Sequence, residues 1–152
     1  MELDNLRNYV YNLLQRRDYS ESEIKDKAKI KGYLPADINQ ILSELKQKNF
    51  VNDVRLAENV VLAYEGKKGK MWLRQKLAMR KIPASIIENV LNSEESPILS
   101  PDKTVKEKLE RRYEIKNWSE LDQNTKQKVV RFLQGQGFSQ PFAILKQWVS
   151  EK

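Results

Sequence analysis

Apolar residues recur along most of this chain at the spacing of helix faces. Leu6, Tyr9, Val10, Leu13 and Leu14 follow an i, i+3, i+4, i+7, i+8 pattern. Ile38, Ile41, Leu42 and Leu45 form a second stripe, and Ala57, Val60, Val61 and Tyr64 a third. The period-two alternation that predicts strands is nearly absent. Between the stripes the boundaries are legible. Ser20-Glu-Ser-Glu23 is a capping box, in which the Ser20 hydroxyl accepts from an orphan amide and Glu23 reaches back. Gly32 sits where a helix ends, and Pro35 suits the first turn of the next. Residues 3 to 48 therefore read as three helices joined by short turns.

The same plan returns twice. Ser20, Ile24, Ala28, Gly32 and Tyr33 correspond to Gly69, Leu73, Leu77, Lys81 and Ile82, and again to Thr125, Val129, Leu133, Gly137 and Phe138. Pro35 and Ile38 correspond to Pro83 and Ile86 after a one-residue deletion, while Phe142, Leu145 and Val149 fill the matching stripe in the last unit. The prediction is an all-α protein of three tandem three-helix repeats, residues 1–49, 50–93 and 104–152, with a linker at 94–103. Units this small bury little alone, so they are expected to pack end to end in an elongated, curved array. The linker, and an interruption from Tyr113 to Gln123 inside the third repeat, are the expected flexible points.

Composition narrows the chemistry. The 152 residues include no Cys and no His, which removes disulfides, thiolate and imidazole chemistry and the commonest zinc ligands. Glu94-Glu95 falls in the linker, and Gly66-Lys-Lys-Gly69 lacks the spacing and hydroxyl of a phosphate-binding loop. No catalytic residue, cofactor or metal is expected, and the protein reads as a non-enzyme. The N-terminus is acidic and no apolar run approaches the roughly 18 residues that span a bilayer, so no membrane association and a cytoplasmic location are expected.

Charge then singles out one segment. The net charge is +7, and residues 50 to 93 carry 8 basic against 4 acidic residues, more excess than either flank. Between Glu65 and Glu88 there is no carboxylate at all, while Lys67, Lys68, Lys70, Arg74, Lys76, Arg80 and Lys81 fill the interval. On a helix from about Lys70, Lys70, Arg74 and Lys81 share one narrow sector, and Lys76 and Arg80 another, beside the Leu73 and Leu77 stripe. Lys67 and Lys68 lie in a loop ahead of that helix, where amides and ammonium groups together can approach an anion. Trp72 lies off the apolar stripe between Lys68 and Lys76; it either stacks on a base or fills a partner pocket, or else packs against a neighbouring repeat. The matching helix of the first repeat mixes Lys25, Lys27, Lys29 and Lys31 with Glu21, Glu23 and Asp26, as a solvated face does. Asp53 is placed to cap the amide two or three residues on, leaving Arg55 to pair with a carboxylate of an adjacent repeat.

Together these residues resemble the RecX regulatory proteins, bacterial modulators of the RecA recombinase. The resemblance runs through Tyr19-Ser20, Glu23-Ile24, Lys31-Gly32-Tyr33 and Phe50-Val-Asn-Asp53-Val-Arg55-Leu-Ala57-Glu58. It continues through Gly69, Leu73-Arg74, Leu77 and Ile82, then Arg131-Phe132-Leu133 and Gly137-Phe138-Ser139. Leu56 stands where the family usually has an aromatic, Lys81 replaces a turn glycine, and Gly135-Gln136 replaces a pair that is often basic, so the third repeat is expected to hold anions less strongly than the second. The resemblance implies a monomer that binds RecA and its DNA filament and restrains ATP hydrolysis, strand exchange and co-protease activity, within DNA repair and the SOS response. Lys67, Lys68, Lys70, Trp72, Arg74, Lys76, Arg80 and Lys81 are then the candidate contacts, with Ser20, Asp53 and Arg55 as structural signature residues. A non-sequence-specific DNA-binding helical module is the alternative, since lysine suits phosphate better than base edges.

Overall fold

In the computed structural model, which describes residues 2–92 and 101–151, each predicted stripe falls on a helix. The order is α1 (Glu2–Arg16), α2 (Glu21–Ile30), α3 (Pro35–Gln47), α4 (Asp53–Ala63), α5 (Lys70–Met79), α6 (Ala84–Leu91), α7 (Lys103–Arg112), α8 (Gln123–Gly135) and α9 (Pro141–Ser150). A short 3-10 turn, Trp118–Glu120, precedes α8, and there is no strand among the described residues. The protein is all-α, with its helices in three successive triplets. Residues 94–100 of the expected linker, including Glu94 and Glu95, lie outside the described residues.

The repeat correspondence holds where it matters for packing. Ile24 and Ala28 of α2, Leu73 and Leu77 of α5, and Val129 and Leu133 of α8 are all fully buried. Each middle helix also ends the same way. The Tyr33, Ile82 and Phe138 amides reach back to the Ala28, Leu77 and Leu133 carbonyls. That closure requires a left-handed residue just before, and Gly32, Lys81 and Gly137 have φ of 94°, 59° and 90°. Lys81 therefore adopts the left-handed backbone that glycine supplies in the other two repeats.

Three expectations about register are corrected. α8 is capped by Asp122, whose carboxylate accepts from the Thr125 amide at 2.7 Å, so Thr125 lies inside the first turn instead of at the cap. In the last helix the buried stripe is Pro141, Ile144, Leu145 and Trp148, and Phe142 is exposed. A separate shift of one position puts Ile87 of α6, not Ile86, in the buried class. Pro35 and Pro141 are the first residues of their helices, whereas Pro83 precedes α6, and this one-residue difference rotates the inward face. The interruption from Tyr113 to Gln123, expected as a flexible point, carries Ile115 and Trp118 into the core, where Trp118 meets Trp148 at 5.0 Å and donates to Glu110 at 2.9 Å.

The chain divides into two compact units, one of Met1–Val60 with Leu77–Val90, the other of Val61–Lys76 with Leu91–Lys152. In the first, Leu6, Val10, Ile24, Ala28, Ile38, Ile41, Leu42, Leu45 and Val51 form one cluster. In the second, Val105, Leu109, Val129, Val130, Leu133, Phe138, Ile144 and Leu145 close around the tryptophan pair. Each fully buried aliphatic side chain contributes about 1.5–3 kcal/mol relative to exposure.

Candidate binding surface

The basic segment begins in the second unit with the turn after α4. Gly66, at φ 73°, accepts from the Asp102 amide at 2.7 Å, and a Cβ there would press on the Asp102 side chain. Lys67 is exposed beside this contact. The amides expected to face an anion are occupied: Gly69 N–H donates to the Gln136 carbonyl at 2.8 Å and Met71 N–H to the Gly137 carbonyl at 3.0 Å. Only glycines permit this approach, because a Cβ on Gly69 would overlap the Gly137 carbonyl and a Cβ on Gly137 would overlap the Trp72 backbone. The loop is thus clasped by the α8–α9 turn and is not an open cradle.

Trp72 is half-buried, with its ring 4.7 Å from that of Tyr64. Of the two readings open from the sequence, packing accounts for much of its surface. The Lys68 ammonium lies 4.9 Å over its ring and also donates to the Gln136 side chain, while Lys76 lies 6.0 Å over it. Lys70 donates to the Asn92 side chain, and Arg74 is half-buried. Among the described residues, Lys67, Lys68, Lys70 and Lys76 make no ion pair.

Arg80 and Lys81 behave differently, and both lie in the first unit. α5 ends at Met79, so the helical sector that grouped Lys81 with Lys70 and Arg74 does not extend to it. Arg80 binds Glu23 at 3.0 Å and the Asp18 carbonyl at 2.8 Å, and Lys81 pairs with Asp26. Burial alone would raise the Glu23 carboxyl, but its bonds to Arg80 and the Ser20 amide, with the charge of Arg17, hold it below the ordinary glutamate range. The acids missing from the segment are supplied here by the first repeat.

Ser20 forms the expected capping box: its hydroxyl accepts from Glu23 N–H at 3.1 Å, and Glu23 accepts from Ser20 N–H at 2.8 Å. Asp53 and Arg55 are placed otherwise than expected. Asn52 caps α4 by accepting from the Arg55 amide at 3.0 Å, and Asp53 accepts from Glu21 N–H at 2.9 Å, at the start of α2. Burial, with the nearby Glu21 and Glu23 charges, pushes the Asp53 carboxyl above its ordinary range against the Glu21 N–H bond and Lys46. Arg55 donates to the Asn49 carbonyl at 2.7 Å and the Phe50 carbonyl at 3.4 Å, closing the turn after α3. The helix-boundary signal in Asn52-Asp53 was readable, but which of two adjacent side chains caps depends on what stands opposite.

One cluster had no counterpart in the sequence pattern. On α7 and α8, Lys108, Arg112 and Lys128 surround the half-buried rings of Tyr113 and Phe132. Acids interspersed along the third repeat conceal it. No group of three or more His, Cys, Asp or Glu side chains among the described residues is arranged to hold a metal ion, and no helix among them is long and apolar enough to cross a membrane.

Fold and surface together define an all-α protein of three-helix units with a cluster of cations around Trp72. The family model described as RecX, first three-helix domain, matches residues 7–45. Curated relatives extend the match. The chain is 35% identical over 132 residues to regulatory protein RecX of Pasteurella multocida, covering 86% of this chain and 79% of that one. It is 32% identical over 141 residues to regulatory protein RecX of Haemophilus influenzae (strain 86-028NP), covering 91% and 90%. Among solved structures, RecX from Lactobacillus salivarius superposes with a TM-score of 0.79 over 97% of this chain and 96% of that one, at 22% identity, a likeness of fold. The chain belongs to the RecX family of regulatory proteins, and its role is regulatory, not enzymatic.

Proposed function

We propose that this chain binds the RecA recombinase or its DNA filament in the cytoplasm and restrains ATP hydrolysis, strand exchange and co-protease activity. The observation that carries the reading is the set of cations around Trp72. Among the described residues Lys68, Lys70 and Lys76 form no ion pair, and Lys67 stands near Asp102, whose carboxyl its charge helps to lower, in a family of regulators. Such charge speeds encounter with an acidic filament and orients docking, while half-exposed apolar groups hold the complex. Arg74 belongs to the same face of the proposal, whereas Arg80 and Lys81 support it indirectly by holding α5 to Glu23 and Asp26. The three repeats, 1–49, 50–93 and 104–152, would then meet successive recombinase subunits, and preference for one filament conformation would suffice to inhibit.

The test is ATP hydrolysis by the cognate recombinase on single-stranded DNA. Wild-type protein at stoichiometric amounts is expected to inhibit it, and the combined Lys67→Glu, Lys70→Glu, Lys76→Glu variant to lose at least about tenfold in inhibitory potency, since like-charge contacts cost several kcal/mol. Undiminished hydrolysis with the wild type, or equal inhibition by the folded variant, would sink the reading.

A further inference from the structure

We propose that the α7–α8 face of the second unit is a stacking site for single-stranded nucleic acid, separate from the cations around Trp72. Five side chains form a continuous alternation of cation and ring. Lys128 lies 6.0 Å over the Tyr113 ring; Arg112 lies 5.6 Å from Tyr113 and 5.9 Å from Phe132; Lys108 lies 5.6 Å over Phe132. One guanidinium therefore joins two aromatic faces, and each ring carries a second cation.

The helices dictate this arrangement. Lys108 and Arg112 are one turn apart on α7, as are Lys128 and Phe132 on α8, so each pair shares a face. Tyr113 follows directly on the end of α7. Both rings rest on the core cluster by one side and remain half-exposed on the other, which fixes them as rigid platforms.

The cations are not there to answer acids. Among the described residues, Lys108, Arg112 and Lys128 make no ion pair. Three of the acids nearby have other partners: Glu107 pairs with Lys103, Glu110 accepts from Trp118, and Asp122 caps α8 while feeling Lys128 electrostatically; Glu114, exposed next to Tyr113, makes no ion pair with the three cations. Three exposed charges thus converge on two rings without an ion pair among the described residues, Lys128 alone being answered in part, by Asp122.

Single-stranded nucleic acid supplies both halves of the complement: phosphates for the cations and unstacked bases for the rings. A duplex hides its base faces, and an acidic peptide would use the cations but leave the rings idle. Stacking of a base on an aromatic ring outweighs an exposed cation–π contact, so each lysine can leave the ring for a phosphate as a base takes its place. The guanidinium of Arg112 can remain as a third stacking plane. This site acts without the recombinase, so it stands whether or not the proposed function does.

The experiment is fluorescence anisotropy with labelled oligothymidylate, with no recombinase, over a range of salt. For the full chain, log affinity should fall with log salt. The variant Lys108→Ala, Arg112→Ala, Lys128→Ala should lose about two from that slope, at roughly 0.7 per phosphate contact. Tyr113→Leu with Phe132→Leu, which keeps apolar packing, should lose about tenfold or more in affinity at an unchanged slope. The Lys67, Lys70, Lys76 reversal should leave the ring-dependent part intact. As a check independent of any variant, the Tyr113 and Phe132 ring resonances of the wild type should shift on adding the oligomer. Unmoved ring resonances, unchanged affinity and slope in both variants, or a triple variant that weakens binding while the leucine variant does not would each overturn the proposal. So would polyglutamate bound through the same residues as tightly as the oligomer, which would assign the face to an acidic protein.

Discussion

Gly32, Lys81 and Gly137 hold the same left-handed turn at the ends of α2, α5 and α8, yet their surroundings differ. Nothing lies within 4 Å of a Cβ built on Gly32, whereas one built on Gly137 overlaps the Trp72 backbone. Gly32→Ala is expected to cost about 1–2 kcal/mol, the left-handed penalty alone. Gly137→Ala should add an overpacking cost of about 1–3 kcal/mol. Urea unfolding of the two variants checks this, and equal losses would remove the clasp at Gly69 and Gly137 as a structural constraint.

Asp53 poses a second question at the same scale. Its carboxylate accepts from Glu21 N–H, so Asp53→Ala leaves a helix-start amide without its partner and should cost about 1 kcal/mol. Its folded pKa is raised by burial, so the folded state holds the proton more tightly than the unfolded chain. Ionisation of Asp53 therefore opposes folding, and its contribution to stability declines as pH rises from the unfolded value through the folded one. Asp53→Asn keeps an acceptor and removes that dependence. Its stability relative to wild type should improve as pH is raised through the carboxylate range, and a difference flat with pH would contradict the assignment.

At the scale of elements, the end of each later middle helix closes on the start of an earlier one, by two kinds of chemistry. Arg80, just past α5, binds Glu23 and the Asp18 carbonyl beside the cap of α2. The carbonyls of Gln136 and Gly137, in the matching place after α8, accept from the amides of Gly69 and Met71 at α5. The first closure is ionic; the second is backbone to backbone. Arg80 and Glu23 are only 17% and 14% exposed, which limits solvent screening and makes loss of one partner more costly than at a surface pair. Arg80→Ala should destabilise by about 1–3 kcal/mol. Because the folded Glu23 carboxyl is lowered, its contribution is complete above the unfolded glutamate value and is lost as pH falls through the folded one. Denaturation of wild type and Arg80→Ala across the acid range should therefore converge at low pH. A constant gap between them would show that the arginine acts by packing.

At the scale of the whole molecule, net charge of +7 matters less than where charge lacks an answer. Among the described residues, cations gather around Trp72 and on α7–α8, and both places combine them with half-buried rings. Inhibition of recombinase ATP hydrolysis should accordingly weaken with salt for the wild type and show a flatter dependence for the Lys67, Lys70, Lys76 reversal.

Helix identity, the buried pairs 24/28, 73/77 and 129/133, the capping box at Ser20 and the left-handed turns were legible along the chain. Each depends on residues within about five positions of one another, and local spacing fixes which side chains share a face. Charge compensation was not legible. The partners of Arg80 and Lys81 stand 57 and 55 positions away, the amide held by Asp53 32 away, and the side chain held by Lys68 68 away. A run of lysines without acids in sequence says nothing of acids brought opposite it in space, and a segment of mixed sign such as 103–132 can still present cations on one face and acids on another. Periodicity set the helices and their inward faces, because backbone geometry is local; the tertiary structure alone set which charges and amides remain available, because those pairings join residues that only folding brings together.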